Sequence, residues 1–222
     1  MSELESKDSQ PRLVPSRVLK SLRIGLTGNI AAGKSEVAKL LEQKDCVIVN
    51  ADQVTHDLYQ NEPALVQQLA AHFGADILEE QGGINRKALG AKVFGPEKAK
   101  ALTELNAMIR PYLQMALDAR MQTAIQSGKD AVLDAALIVE WGNQKQFDAL
   151  WVVIAPDELR QNRLMQRNHL SEAEAKARLN SQMPQMEKAA HGNAIIENSG
   201  DLEELAELVE RAWQHLKATT KS

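Results

Sequence analysis

Residues 25–36 read GLTGNIAAGKSE, and within them Gly28-Asn29-Ile30-Ala31-Ala32-Gly33-Lys34-Ser35 fits the pattern GxxxxGK[ST]. No other stretch restricts the fold as much. The pattern does its work as a curled loop between a strand and a helix. Successive backbone N–H groups then converge on phosphate oxygens, Gly28 and Gly33 tolerate the curl, and the helix N-terminus adds partial positive charge. Lys34 reaches the β- and γ-phosphates, and the Ser35 hydroxyl is a ligand for Mg²⁺. The flanks agree with this. Residues 23–27 (RIGLT) form an apolar run before the loop, and residues 36–41 carry Val37, Leu40 and Leu41 at helical spacing. Residues 46–49 (CVIV) are β-branched and predict a second strand. Strand, glycine loop, helix, strand is the opening of a parallel α/β unit.

Three more strands are predicted, over residues 131–139 (AVLDAALIV), 149–155 (ALWVVIA) and 194–196 (AII). Between residues 55 and 128 the patterning is almost wholly helical, broken near QGGINR and FGPEK. A parallel crossover needs roughly a dozen residues. This one is several times longer, so it predicts a helical subdomain with a function of its own. Residues 156–190 are again helical and charge-rich, and Ser171 with Glu174 forms a capping box that restarts a helix. Leu202, Leu205, Leu208, Val209, Trp213 and Leu216 share one helical face, expected to pack on the sheet.

Two sets of side chains carry candidate chemistry. Asp52 follows the second predicted strand, on the edge of a parallel sheet where ligands bind. A carboxylate there can deprotonate an attacking hydroxyl or hold Mg²⁺ through water, or it can simply cap a helix. Asp57 is a weaker candidate of the same kind. Arg160, Arg163 and Arg167 lie at i, i+3 and i+7 on one helical face. They read either as a lid that neutralises a transferring phosphoryl group or as a solvated basic face. Arg178 follows on the next predicted helix.

Composition narrows the partners. The net charge is −4, so the global field does not gather polyanions, and a nucleic-acid partner is not expected. Any anion site must be local. Cys46 is the single cysteine, which suits a reducing compartment such as the cytoplasm. No run has the apolar length of a membrane helix, so no membrane partner is expected. The first twenty residues are polar with mixed charge and are expected to form a disordered tail over residues 1–21.

With these residues in view, the chain from about Arg23 to Leu216 resembles the dephospho-CoA kinase family. The resemblance is carried by GLTGNIAAGKSEVAKLL, VNADQVTHDLY, FGADILEEQGGINRKALGAKVF and IIENSG. It is also carried by QNRLMQRNHLSEAEAKARLNSQ, with Gln161, Arg163, Arg167, Arg178 and Gln182 in register. It implies an α/β fold of the P-loop NTPase, nucleoside-monophosphate-kinase type: a five-stranded parallel sheet with a helical insert and a lid. The implied kinase domain spans residues 22–218. Its core is 22–54, 129–157 and 191–218, its acceptor-binding insert about 55–128 and its lid about 158–190.

The implied activity is Mg²⁺-ATP-dependent phosphorylation of the ribose 3′-hydroxyl of dephospho-CoA. Asp52 takes the place of the general base, Lys34 that of the phosphate-loop lysine, and Arg163 and Arg167 those of the lid arginines. The resemblance places ATP on Gly28, Asn29, Ala31, Ala32, Gly33, Lys34, Ser35, Glu36, Asn198 and Gly200, with adenine beside Asn198-Ser199-Gly200. It places Mg²⁺ on Ser35, and dephospho-CoA on Asp52, Arg86 and Arg110. The chain departs from the family where GG-I-G-S-GKST becomes GN-I-A-A-GKSE. The family's His-Pro is Arg110-Pro111, its Pro-Leu-Leu-x-Glu strand is Ala136-Leu137-Ile138-Val139-Glu140, and its Ala-Asp is His191-Gly192. These changes bear on the acceptor site more than on ATP binding. A related kinase with a shifted acceptor and a weakly catalytic nucleotide-binding regulator are the rival expectations.

Overall fold

The computed structural model describes residues 21–95 and 97–220. The expected tail lies outside the described residues apart from Ser21. The chain runs β1 (Arg23–Gly28), α1 (Lys34–Glu42), β2 (Val47–Asn50), then α2 (Ala51–Asn61), α3 (Pro63–Phe73), α4 (Arg86–Val93) and α5 (Ala99–Gln126). It returns through β3 (Ala131–Asp134), β4 (Ala149–Ile154), α6 (Asp157–Asn168), α7 (Glu172–Asn180), α8 (Gln185–Ala189), β5 (Ala194–Glu197) and α9 (Leu202–Thr219). The strands pair in the order β2-β3-β1-β4-β5, all parallel. This is the expected five-stranded P-loop sheet.

Alternation along β4 shows how the layers form. Ala149, Trp151 and Val153 pack with Val37 and Leu41 of α1 and Val209 and Trp213 of α9. Leu150 and Val152 face the other way, into a core shared with α2–α5. A strand buried on both faces reads as a continuous apolar run, which is why β4 was legible in the sequence. The helical stretch between β2 and β3 is broken where expected. An isolated bridge joins Leu78 to Ile84 across the QGG turn.

Three expectations are corrected. The predicted strand 131–139 stops at Asp134, because its ladder with β1 and β2 ends at the pairs Leu26↔Asp134 and Asn50↔Asp134. Residues 136–142 then form turns. The insert's first helix starts at Ala51, directly after β2, rather than at residue 55. Leu205, Val209, Trp213 and Leu216 are buried as expected and Leu208 packs beside them, but Leu202 is 67% exposed. It sits at the N-terminus of α9, ahead of the point where the helix meets the sheet. Among the described residues no helix is long and apolar enough to cross a membrane.

Candidate active site

The phosphate loop links β1 to α1 and is shaped by its neighbours as much as by its own residues. Gly33 caps α1 with φ 96°, and a Cβ there would lie 1.9 Å from Asn198 Nδ2. That position accepts only glycine, on both conformational and steric grounds. Ala31 also has a positive φ, 61°, without glycine's freedom. The loop is held from three sides. Ile30 N donates to Gln182 Oε1 at 2.8 Å, and Asn29 Nδ2 donates to the Met183 carbonyl at 2.7 Å. Asn198 Nδ2 donates to the Ala32 carbonyl at 2.9 Å.

A cavity of about 780 Å³ opens over this loop at the carboxyl ends of the strands. Gly28, Asn29, Ala31, Gly33, Lys34, Ser35 and Glu36 line its floor. Asn198, Gly200 and Leu202 line the β5 side, Arg163 and Arg167 the α6 side, and Asp52 and Ala136 the β2–β3 side. Ala32 is fully buried behind the loop and is absent from the lining. The volume suits a nucleotide with part of a second substrate.

Asp52 is exposed in the first turn of α2. The alternative role of helix cap belongs to Asn50, whose side chain accepts from Gln53 N at 2.9 Å. Asp52 is thereby left to the cavity. Asp57 does not line the cavity. It pairs with Arg120 Nη2 at 2.8 Å, and the hydrogen bonds from Arg120 and Gln53 hold its carboxyl below the ordinary range.

The three arginines of α6 separate. Arg163 reaches the Ala31 carbonyl and Asn198 Oδ1, each at 3.5 Å, and stays in the cavity wall. Arg167 is exposed and bonds locally, to Asn168 Oδ1 at 3.1 Å. Arg160 is 3% exposed, donates to the Ile30 carbonyl at 3.1 Å and pairs with Asp157 at 2.9 Å. It braces the back of the phosphate loop, and burial lowers its pKa. The expectation of one shared lid face is corrected in that respect. Arg178 is exposed on α7, outside the cavity lining. Arg86 and Arg110 are exposed and also lie outside it. Arg110 Nη2 donates to the Trp141 carbonyl at 3.2 Å.

Two functional candidates were missed in the sequence. Asp134 is 3% exposed and pairs with Lys34, while its other oxygen accepts from Asn50 Nδ2 at 2.7 Å. A carboxylate ending an apolar run was the available signal, obscured because the run 131–139 reads as one strand. Lys188 is fully buried in α8 and pairs with Glu140 at 2.8 Å. It carries no motif in the sequence.

Comparisons with known proteins bear on the family and the fold. The family model for dephospho-CoA kinase matches residues 22–204. The chain is 39% identical over 191 residues to the dephospho-CoA kinase of Geobacter sulfurreducens, covering 86% of this chain and 96% of that one. Among solved structures, a Thermus thermophilus protein superposes with a TM-score of 0.72 at 29% identity, covering 90% of this chain and 97% of that one. The dephospho-CoA kinase from Campylobacter jejuni superposes with a TM-score of 0.62 at 25% identity, covering 89% and 98%.

Proposed function

The chain belongs to the dephospho-CoA kinase family, and we propose that it transfers the γ-phosphoryl group of ATP to the ribose 3′-hydroxyl of dephospho-CoA. The observation that carries this is one cavity lined by both halves of a phosphoryl-transfer site. Lys34 and Ser35 stand on the phosphate-loop side, Arg163 and Arg167 on the lid side, and Asp52 on the opposite wall. In this account Asp52 accepts the proton of the attacking hydroxyl. The new O–P bond forms as the bond to the β–γ bridging oxygen breaks, and ADP leaves. Arg163 and Arg167 neutralise charge that builds on the γ-oxygens.

Lys34 exchanges Asp134 for the phosphates when nucleotide enters. Ser35 and Asp134 offer the hard oxygen donors that suit Mg²⁺, one as a hydroxyl ligand and the other as a carboxylate beside the loop. When bound, that ion supplies neutralisation of the β- and γ-oxygens. Adenine rests beside Gly200 and Leu202, since the Asn198 side chain is already committed to Ala32 and Arg163. The exposed leucine gives the base an apolar surface. Residues 55–128 or so serve as the acceptor-binding insert and about 158–190 as the lid, and the reaction takes place in the cytoplasm.

The test is ADP release with dephospho-CoA, adenosine and AMP as rival acceptors. Dephospho-CoA is expected to be preferred by at least tenfold in kcat/KM. Equal rates on adenosine would assign the cavity to a different acceptor.

A further inference from the structure

Lys188 has no exposed surface, yet it lies neither on the phosphate loop nor in the cavity lining. A buried ammonium is costly unless it is paired and hydrogen-bonded. Lys188 is both. Its Nζ donates to the Ala136 carbonyl at 2.6 Å and pairs with Glu140 Oε1 at 2.8 Å. Thr27 Oγ1, from the end of β1, donates to the same carbonyl at 3.0 Å. A carbonyl oxygen has two lone pairs, and both are taken here. Ala136 can therefore offer a ligand only its N–H and methyl group.

Ala136 lines the cavity on the same side as Asp52. It opens the turn of residues 136–142, which follows Asp134 directly. The turn is fastened at both ends. Lys188 and Thr27 hold Ala136, and Arg110 from α5 holds Trp141 through its carbonyl at 3.2 Å. Lys188 itself is anchored, because Gln185 in the same short helix exchanges hydrogen bonds with Ala155 N and O at 3.3 and 3.0 Å. Just before that helix, Gln182 and Met183 grip the phosphate loop. One continuous segment, 182–188, thus fixes the phosphate loop and the opposite wall relative to each other.

We propose that Lys188 is a positioning residue for the acceptor: by clamping Ala136 and Glu140 it sets the wall against which the acceptor ribose is held beside Asp52. This inference rests on the assignment of the cavity as a phosphoryl-transfer site. Lys188 touches no reacting atom and acts only through Ala136. Arg110 then serves the acceptor through Trp141, not through a charge contact of its own.

The test compares Lys188→Met with the double variant Lys188→Met/Glu140→Gln. The single variant leaves the Glu140 carboxylate without its partner and is expected to lose stability. The double variant removes both charges and is expected to melt cooperatively near the wild-type temperature. Its KM for dephospho-CoA should rise about tenfold, while its KM for ATP stays within about twofold. A merely structural pair would change stability without raising the acceptor KM selectively, so a wild-type acceptor KM in the folded double variant would overturn the proposal. A parallel rise in both KM values would overturn it too. Hydrogen exchange on the wild-type enzyme covers the case in which neither variant folds. Dephospho-CoA is expected to slow exchange in peptides spanning residues 135–143. Protection in α2 without protection there would overturn the proposal. No protection anywhere, together with no ADP release, would overturn the kinase assignment and this inference with it.

Discussion

Lys34 donates to Asp134, so the phosphate-loop lysine is held by the carboxylate that ends β3. Asn50 steadies the other oxygen of that carboxylate at 2.7 Å. The arrangement pins a lysine that is only 16% exposed against a carboxylate that is 3% exposed. It also leaves a hard oxygen donor at the end of β3, in contact with the phosphate-loop lysine. Asp134→Asn preserves the shape and the contact with Asn50 but removes the charge. We expect kcat to fall by roughly a hundredfold, on the scale of losing one electrostatic contact at a transition state. The Mg²⁺ concentration for half-maximal rate should rise as well. A variant that titrates with Mg²⁺ like the wild type would reduce Asp134 to a tether.

Ala31 stands at φ 61°, where an L-residue pays about 1–2 kcal/mol. Ala31→Gly removes that strain and gives back about 0.4–1 kcal/mol through the freer unfolded chain. The balance is a gain of up to about 1.6 kcal/mol, which in a domain of this size raises Tm by up to roughly 6 °C. Differential scanning calorimetry reads this directly. A fall in Tm would show that the loop does not store strain at this residue.

Arg163→Lys keeps the charge and loses the planar fork. Because Arg163 lies in the cavity wall, the loss is expected mainly in kcat, by roughly tenfold or more, with the KM for ATP nearly unchanged. Arg160→Lys should behave differently. That guanidinium is buried against Ile30 and Asp157, so its variant should lose stability before it loses transition-state binding. Steady-state kinetics and melting curves on the pair separate the two roles. Identical kinetic losses would return both residues to one common face.

How far the sequence could be read follows from where its constraints are local. The phosphate loop, the second strand and the capping box at Ser171 are each fixed by neighbours within a few positions, and each was legible. The structure shows that box complete, with Ser171 N donating to Glu174 Oε2 at 2.9 Å. Arg160, Arg163 and Arg167 share a helical spacing, yet their fates depend on what lies above the helix. Periodicity cannot report that. Asp134 was obscured and Lys188 invisible because their partners are distant in sequence: Lys34 lies 100 residues from Asp134, and Ala136 lies 52 from Lys188. Leu202 fitted the apolar stripe of α9, but its place at the helix end exposes it to the cavity. In each miss, tertiary contact decided what local pattern left open.

Asp52 tests the account most directly, because it alone among the lining residues is asked to take the proton. Asn50 already caps the helix, so Asp52→Asn should leave α2 and the fold intact. The measurement is turnover with dephospho-CoA alongside ATP binding by titration calorimetry. A general base contributes on the order of a hundredfold or more, so kcat should drop by at least that much. The Kd for ATP should stay within about twofold. Turnover near the wild-type rate, or a collapse of ATP binding in a folded variant, would contradict the account and place the base elsewhere.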